Sequence, residues 1–162
     1  MTLVQENLLE LTPAGMAVGP TISKPVMILK DKNGESLPVP LTPLEAGVAL
    51  SQSSKTSPPA TPHRVLLQIL TSMNIVIEKC VFTEIKGSTL YVELALKNHP
   101  SLKTMEVRAD EAMSLCLFLE VPIYATRSFM MRSRDLEAEM SEVEKGKLRN
   151  PKLFQRTHSY LM

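Results

Sequence analysis

The clearest period along the chain is two. In residues 25–41 (PVMILKDKNGESLPVPL), Val26, Ile28 and Lys30 alternate with Met27 and Leu29, and Leu37 to Leu41 take the pattern up again. Asn33-Gly34 stands between the two runs, and Asn-Gly between β-forming segments predicts a hairpin, because both residues tolerate positive φ. Pro38 and Pro40 lack the amide hydrogen an inner strand needs, so the second strand is expected at a sheet edge or to end early. Residues 7–18 alternate weakly and read as an opening strand. Residues 75–85 and 89–97 alternate again around Lys86-Gly87-Ser88, with Val76, Glu78, Cys80 and Phe82 expected on one side. Residues 102–107 and 123–125 complete the expected strands.

Between these runs the period shifts towards that of a helix. Thr42-Pro43 and Thr61-Pro62 each combine an N-cap residue with proline at the first helical position. The first opens a helix through Gln52. A polar loop over 51–60 leads to the second, whose Val65, Leu66, Ile69, Leu70 and Met73 share one face. A third helix follows Arg108, Asp110 and Glu111, runs through the apolar stretch Ala112–Leu119 and ends at Pro122. The segments VPLTPLEAGVAL and EVRADEAMSLCL share a layout of strand, turn, Glu-Ala and apolar helix. This suggests an internal duplication with Glu45 and Glu111 in equivalent places. From residue 132 the chain is highly charged with a thin stripe of Leu136, Met140 and Val143, as in a narrow amphipathic helix. The expected fold class is α+β: a mixed, largely antiparallel sheet packed with a few short helices. We divide the chain into a domain over 1–128, a charged helix over 129–149 and a basic and aromatic tail over 150–162.

Composition narrows the function. Of 162 residues, 44% are hydrophobic, which suffices for a core. Eighteen basic against 17 acidic residues give a net charge of +1, so nucleic acid would be drawn only by a local patch. Lys152, Phe154, Arg156, His158 and Tyr160 in the tail form a mixture that can bind single-stranded nucleic acid, but a mobile end is the commoner role of such a tail. Cys80 and Cys116 lie in separate apolar runs and are expected as buried free thiols, as in a reducing compartment. No apolar stretch is long enough to cross a bilayer. Glu6 and Glu10 leave no signal-peptide pattern, so a cytoplasmic location is expected.

No G-x-S-x-G, phosphate-binding glycine loop or H-E-x-x-H is present. His63, at a helix start, offers an imidazole for a metal or a proton transfer, or is a solvated or capping residue. His99 has no assigned role. Asp110 and Glu111 suit a helix N-terminus, where Asp caps and Glu meets the positive end of the dipole, with Arg108 paired to either. The same carboxylates also suit Mg²⁺ or Mn²⁺, which prefer oxygen ligands.

Residues 25–125 resemble the bifunctional nuclease domain family of bacteria and plants. The likeness rests on PVMILKDKNGESLPV, Glu45-Ala46, the helix start with His63, TLYVELAL and RADEAMSLCLFLEVPIY. It implies an α+β fold, an oligomer, commonly a dimer, and hydrolysis of phosphodiester bonds in DNA and RNA. It also implies Glu111, Arg108 and His63 as catalytic residues and Glu45, Glu106 and Glu111 as ligands of Mg²⁺ or Mn²⁺. The family's Ile-Gly before Glu-Ala is here Leu41-Thr42-Pro43-Leu44. Its R-P-x-T-H-D-L is here Pro59 to Val65, keeping His63 but placing Pro59 and Arg64 where Arg and Asp stand. Its D-x-R-P-S-D-A is here Glu106 to Ala112, keeping Arg108 with Glu106 and Glu111 for aspartate. Against nuclease activity stands a second expectation, a non-catalytic oligomeric protein-interaction or regulatory module on the same fold, with the charged helix as its contact surface. A small-molecule-binding domain has no feature in its favour.

Overall fold

The structure is a computed structural model describing residues 7–17, 24–52 and 62–148, of which 138–148 are described as backbone only. The Thr61 cap, the stripe positions Met140 and Val143 and the 150–162 tail lie outside the described residues or side chains. Seven strands and four helices follow in the order β1 (Leu8–Ala17), β2 (Val26–Lys30), β3 (Ser36–Pro40), α1 (Pro43–Gln52), α2 (Pro62–Ser72), β4 (Val76–Lys86), β5 (Thr89–Lys97), β6 (Thr104–Arg108), α3 (Ala109–Phe118), β7 (Ile123–Thr126) and α4 (Arg127–Leu148). The class is α+β, with one mixed sheet ordered β3-β2-β1-β7-β4-β5-β6.

That order has an internal symmetry. β1-β2-β3 and β4-β5-β6 are both antiparallel meanders, and each hands its last strand to a helix, α1 or α3. β7 lies between the two meanders, antiparallel to β1 and parallel to β4. The strand-to-helix echo in the sequence is therefore repeated in the architecture. Glu45 and Glu111 are each the third residue of their helix, and Ala46 and Ala112 behind them are both buried.

Local chemistry accounts for the turns. Gly34 takes a φ of 84° in the β2–β3 hairpin, and the nearly buried Asp31 carboxylate accepts from the Asn33 and Glu35 amides at 2.9 and 2.8 Å. β3, with Pro38 and Pro40, is an edge strand, as the missing amide hydrogens require. Thr42 Oγ1 accepts from the Glu45 amide at 3.2 Å, giving α1 the expected N-cap. His99 orders the β5–β6 loop, its Nδ1 accepting from the Ser101 and Leu102 amides.

Two expectations are corrected. The alternation in β4 is broken by irregularities between Ile77 and Lys79 and between Phe82 and Glu84. The first moves Val76 to solvent, while Ile77 packs against the core that holds Cys80 and Phe82. Asp110 does not cap α3: Arg108 is the N-cap residue and makes no side-chain cap bond. The apolar face of α2 is not core, for α2 has no buried residue. The core side of the sheet is already covered by Ala46 and Ala49 of α1 and by Ala109, Ala112, Met113 and Cys116 of α3. These mostly small side chains let α1 and α3 pack closely on each other.

α4 begins earlier than the composition change at 132, because its first turn is apolar. Thr126 Oγ1 accepts from the Phe129 amide at 3.1 Å, and Phe129 and Met130 are buried. The Phe129 ring meets Phe82 at 5.4 Å between centroids, tilted by 42°. Cys80 and Cys116 are free and buried, as expected. The hydrogen bond to Cys116, and then burial, push the Cys80 thiol far up, so it stays protonated. Among the described residues, no helix is long and apolar enough to cross a membrane.

Candidate functional site

Three helices meet at one hydrogen-bonded chain. Ser114, in the middle of α3, is fully buried. Its hydroxyl donates to Glu45 Oε2 in the first turn of α1. His63, second residue of α2, brings Nε2 within 2.9 Å of Ser114 Oγ, and its ring lies 6.0 Å from that of Phe118. A carboxylate only accepts and a serine has one hydroxyl hydrogen. With that hydrogen directed to Glu45, the Ser114 oxygen receives the His63 Nε2–H. Nδ1 is then the nitrogen that accepts a proton when the ring is neutral.

The other sequence candidates stand elsewhere. Arg108 points its fork at Asp110, with Nε to Oδ1 at 3.0 Å and Nη2 to Oδ2 at 2.5 Å. This bidentate hydrogen bonding raises the guanidinium above its ordinary pKa. Arg108 and Asp110 line a cavity of about 160 Å³ together with Lys24, Thr42, Ser88 and Thr89. Val39 and Pro40 of β3 line the same cavity, so residues of both edge strands, β3 and β6, border it. Neither His63 nor Glu45 lines it. Glu106 lies on the exposed side of β6, bound to Lys86 Nζ at 2.8 Å, and Glu84 reaches the same ammonium at 3.1 Å. Hydrogen bonds to Glu106 and then Glu84 push the Lys86 ammonium up to about 12. Glu111 is exposed in the first turn of α3.

The geometry thus joins Glu45 and His63 and leaves Glu106, Arg108 and Glu111 apart from them. Among the described residues, no three or more His, Cys, Asp or Glu side chains group so as to hold a metal ion. As arranged here, Glu45, Glu106 and Glu111 do not fit a shared Mg²⁺ or Mn²⁺. Ser114, which links the site, was not a sequence candidate. It lies 69 residues from Glu45 and 51 from His63, inside an apolar helix, where spacing carries no signal for it.

Residues 27–137 match the family described as bifunctional nuclease domain. The matched span holds the sheet from β2 onwards, α1, α2, α3 and the buried start of α4. No curated protein matches the chain.

Proposed function

The chain belongs to the bifunctional nuclease domain family, and from that premise we propose that it cleaves phosphodiester bonds in DNA and RNA, with His63 as general base. The observation that supports this is the Glu45–Ser114–His63 chain. It fixes one tautomer and one ring position for a half-buried imidazole. In the proposed reaction His63 Nδ1 takes a proton from a water molecule as its oxygen attacks phosphorus. The ester bond breaks, the departing oxygen takes a proton from bulk water, and the imidazolium afterwards returns its own proton to solvent. Glu45 offsets the charge of the imidazolium through Ser114. A positioned base of this kind contributes roughly 10²–10⁴-fold. Arg108 lies apart from His63, so it holds not the reacting phosphate but another phosphate of the same nucleic-acid chain, once a phosphate oxygen replaces Asp110 at its fork. Since the acidic candidates do not converge, the reading routes no step through a metal.

The test is cleavage of single-stranded DNA and of RNA by purified protein, with added Mg²⁺, Mn²⁺ or EDTA. His63→Ala is expected to lower the rate by about 10²–10⁴-fold, while Glu106→Gln, which disturbs only an exposed ion pair, changes it little. Cleavage that persists in His63→Ala defeats the assignment. The second reading, a non-catalytic interaction module, is favoured by one observation: Arg108 is already held at two fork positions by Asp110. It requires that no preparation cleaves either substrate.

A further inference from the structure

The cavity of about 160 Å³ beside Arg108 and Asp110 has no part in the Glu45–Ser114–His63 chain. Its side chains are rich in hydrogen-bond donors. Lys24 supplies an ammonium, Thr42, Ser88 and Thr89 supply hydroxyls, and Asp110 is the one carboxylate in the lining. Both oxygens of that carboxylate are taken by the Arg108 fork, so its charge is offset while that of Lys24 is not. Among the described residues, the side chains of Lys24, Ser88 and Thr89 have no hydrogen-bond or ion-pair partner. Pro43 and Ala109, the first residues of α1 and α3, also border the cavity, so the positive ends of two helix dipoles add to the field.

We propose that this cavity seats a terminal phosphate of the nucleic-acid chain and so directs the protein to phosphorylated ends. Size limits the ligand. A cavity of about 150 Å³ accepts a benzene-sized molecule, and pockets for whole small molecules start near about 300 Å³. The cavity therefore takes one phosphate group and leaves the attached nucleoside outside. Charge separates a terminal phosphate from an internal one. To reach the Arg108 fork, a phosphate has to displace the Asp110 carboxylate. An internal phosphodiester brings one negative charge and two free oxygens, the same as the group it displaces. A phosphomonoester carries about −1.5 to −2 near neutral pH and presents three oxygens. It can hold the fork and still meet Lys24 and a hydroxyl of Ser88 or Thr89. The released Asp110 stays in the first turn of α3, where the helix dipole favours a carboxylate. That the phosphate belongs to a nucleic acid rests on the proposed nuclease activity; that a phosphate fits rests on the cavity alone.

The test is calorimetric titration of the full chain with three single-stranded DNA oligonucleotides of one sequence. One carries a 5′-phosphate, one a 3′-phosphate and one hydroxyls at both ends, all on a phosphorothioate backbone that resists cleavage. One phosphorylated end is expected to bind roughly tenfold tighter or more than the hydroxyl form, as a charge-assisted hydrogen bond allows. Lys24→Gln and Arg108→Lys, both at exposed positions, are expected to erase the difference, the second because lysine keeps the charge but not the fork. Lys97→Gln, which removes an equal charge at the far end of β5, is expected to keep it. Phenyl phosphate is expected to compete with the phosphorylated oligonucleotide. Equal binding of all three oligonucleotides overturns the proposal, as does a preference that survives both cavity substitutions. Phenyl phosphate that binds through Lys24 while no oligonucleotide binds assigns the seat to a small phosphorylated molecule and overturns the nucleic-acid end. Cleavage is read separately: an end preference in a chain that cuts nothing supports the cavity and defeats only the nuclease reading.

Discussion

Ser114 is a small polar side chain in a place where the surrounding helix offers only alanine, methionine and cysteine to the core. Its hydroxyl is buried and satisfied on both sides, by Glu45 and by His63. Removing it leaves the half-buried Glu45 carboxylate and His63 N–H to water, so the loss is that of an ordinary hydrogen bond, about 0.5–1.5 kcal/mol. Ser114→Ala is therefore expected to lower the free energy of unfolding by that amount while keeping the fold, read from a urea titration followed by circular dichroism. Lys86 and Glu106 behave differently. Their pair is half exposed and screened, so it contributes little. The Lys86 pKa is raised, so what the pair contributes is fully present below 10.5 and fades as pH climbs through about 12. Glu45 and His63 were legible because each stands at a helix start announced by Thr-Pro. Ser114 was not, because only tertiary packing brings its helix to theirs.

At the scale of elements, the ends of α2 and α3 use the same device. Asn74 and Glu120 both take positive φ, 57° and 55°, and each lets the next amide reach back into the helix: Ile75 to the Leu70 carbonyl and Val121 to the Cys116 carbonyl, both at 2.9 Å. Asparagine tolerates this conformation better than most residues. Asn74→Ala is expected to destabilise by about 1 kcal/mol, since other L-residues are strained in this region; thermal denaturation would show it. Element types were largely readable from periodicity. The outward face of α2 was not, because a helical stripe looks the same whether its own core or a second surface covers it. Nor were the irregularities of β4 read, although the adjacent polar pairs Glu78-Lys79 and Thr83-Glu84 interrupt the alternation at those places.

For the molecule as a whole, the first turn of α4 belongs to the core. Phe129 is 1% exposed and packed against Phe82, so Phe129→Ala is expected to cost about 3–5 kcal/mol in a denaturant titration. Truncation after Glu137 keeps these contacts, whereas deletion from Phe129 onwards removes them. Hairpins and edges of the sheet could be anticipated from Asn33-Gly34 and from the prolines of β3. The central place of β7 could not, because a four-residue strand carries no mark of its partners. That place sets the order of events as the chain leaves the ribosome. The two meanders emerge first, but their inner strands, β1 and β4, each keep one edge unpaired until residues 123–126 appear. The nascent protein thus holds two half-sheets with open edges, the condition under which chains associate wrongly, and the last strand made acts as a keystone.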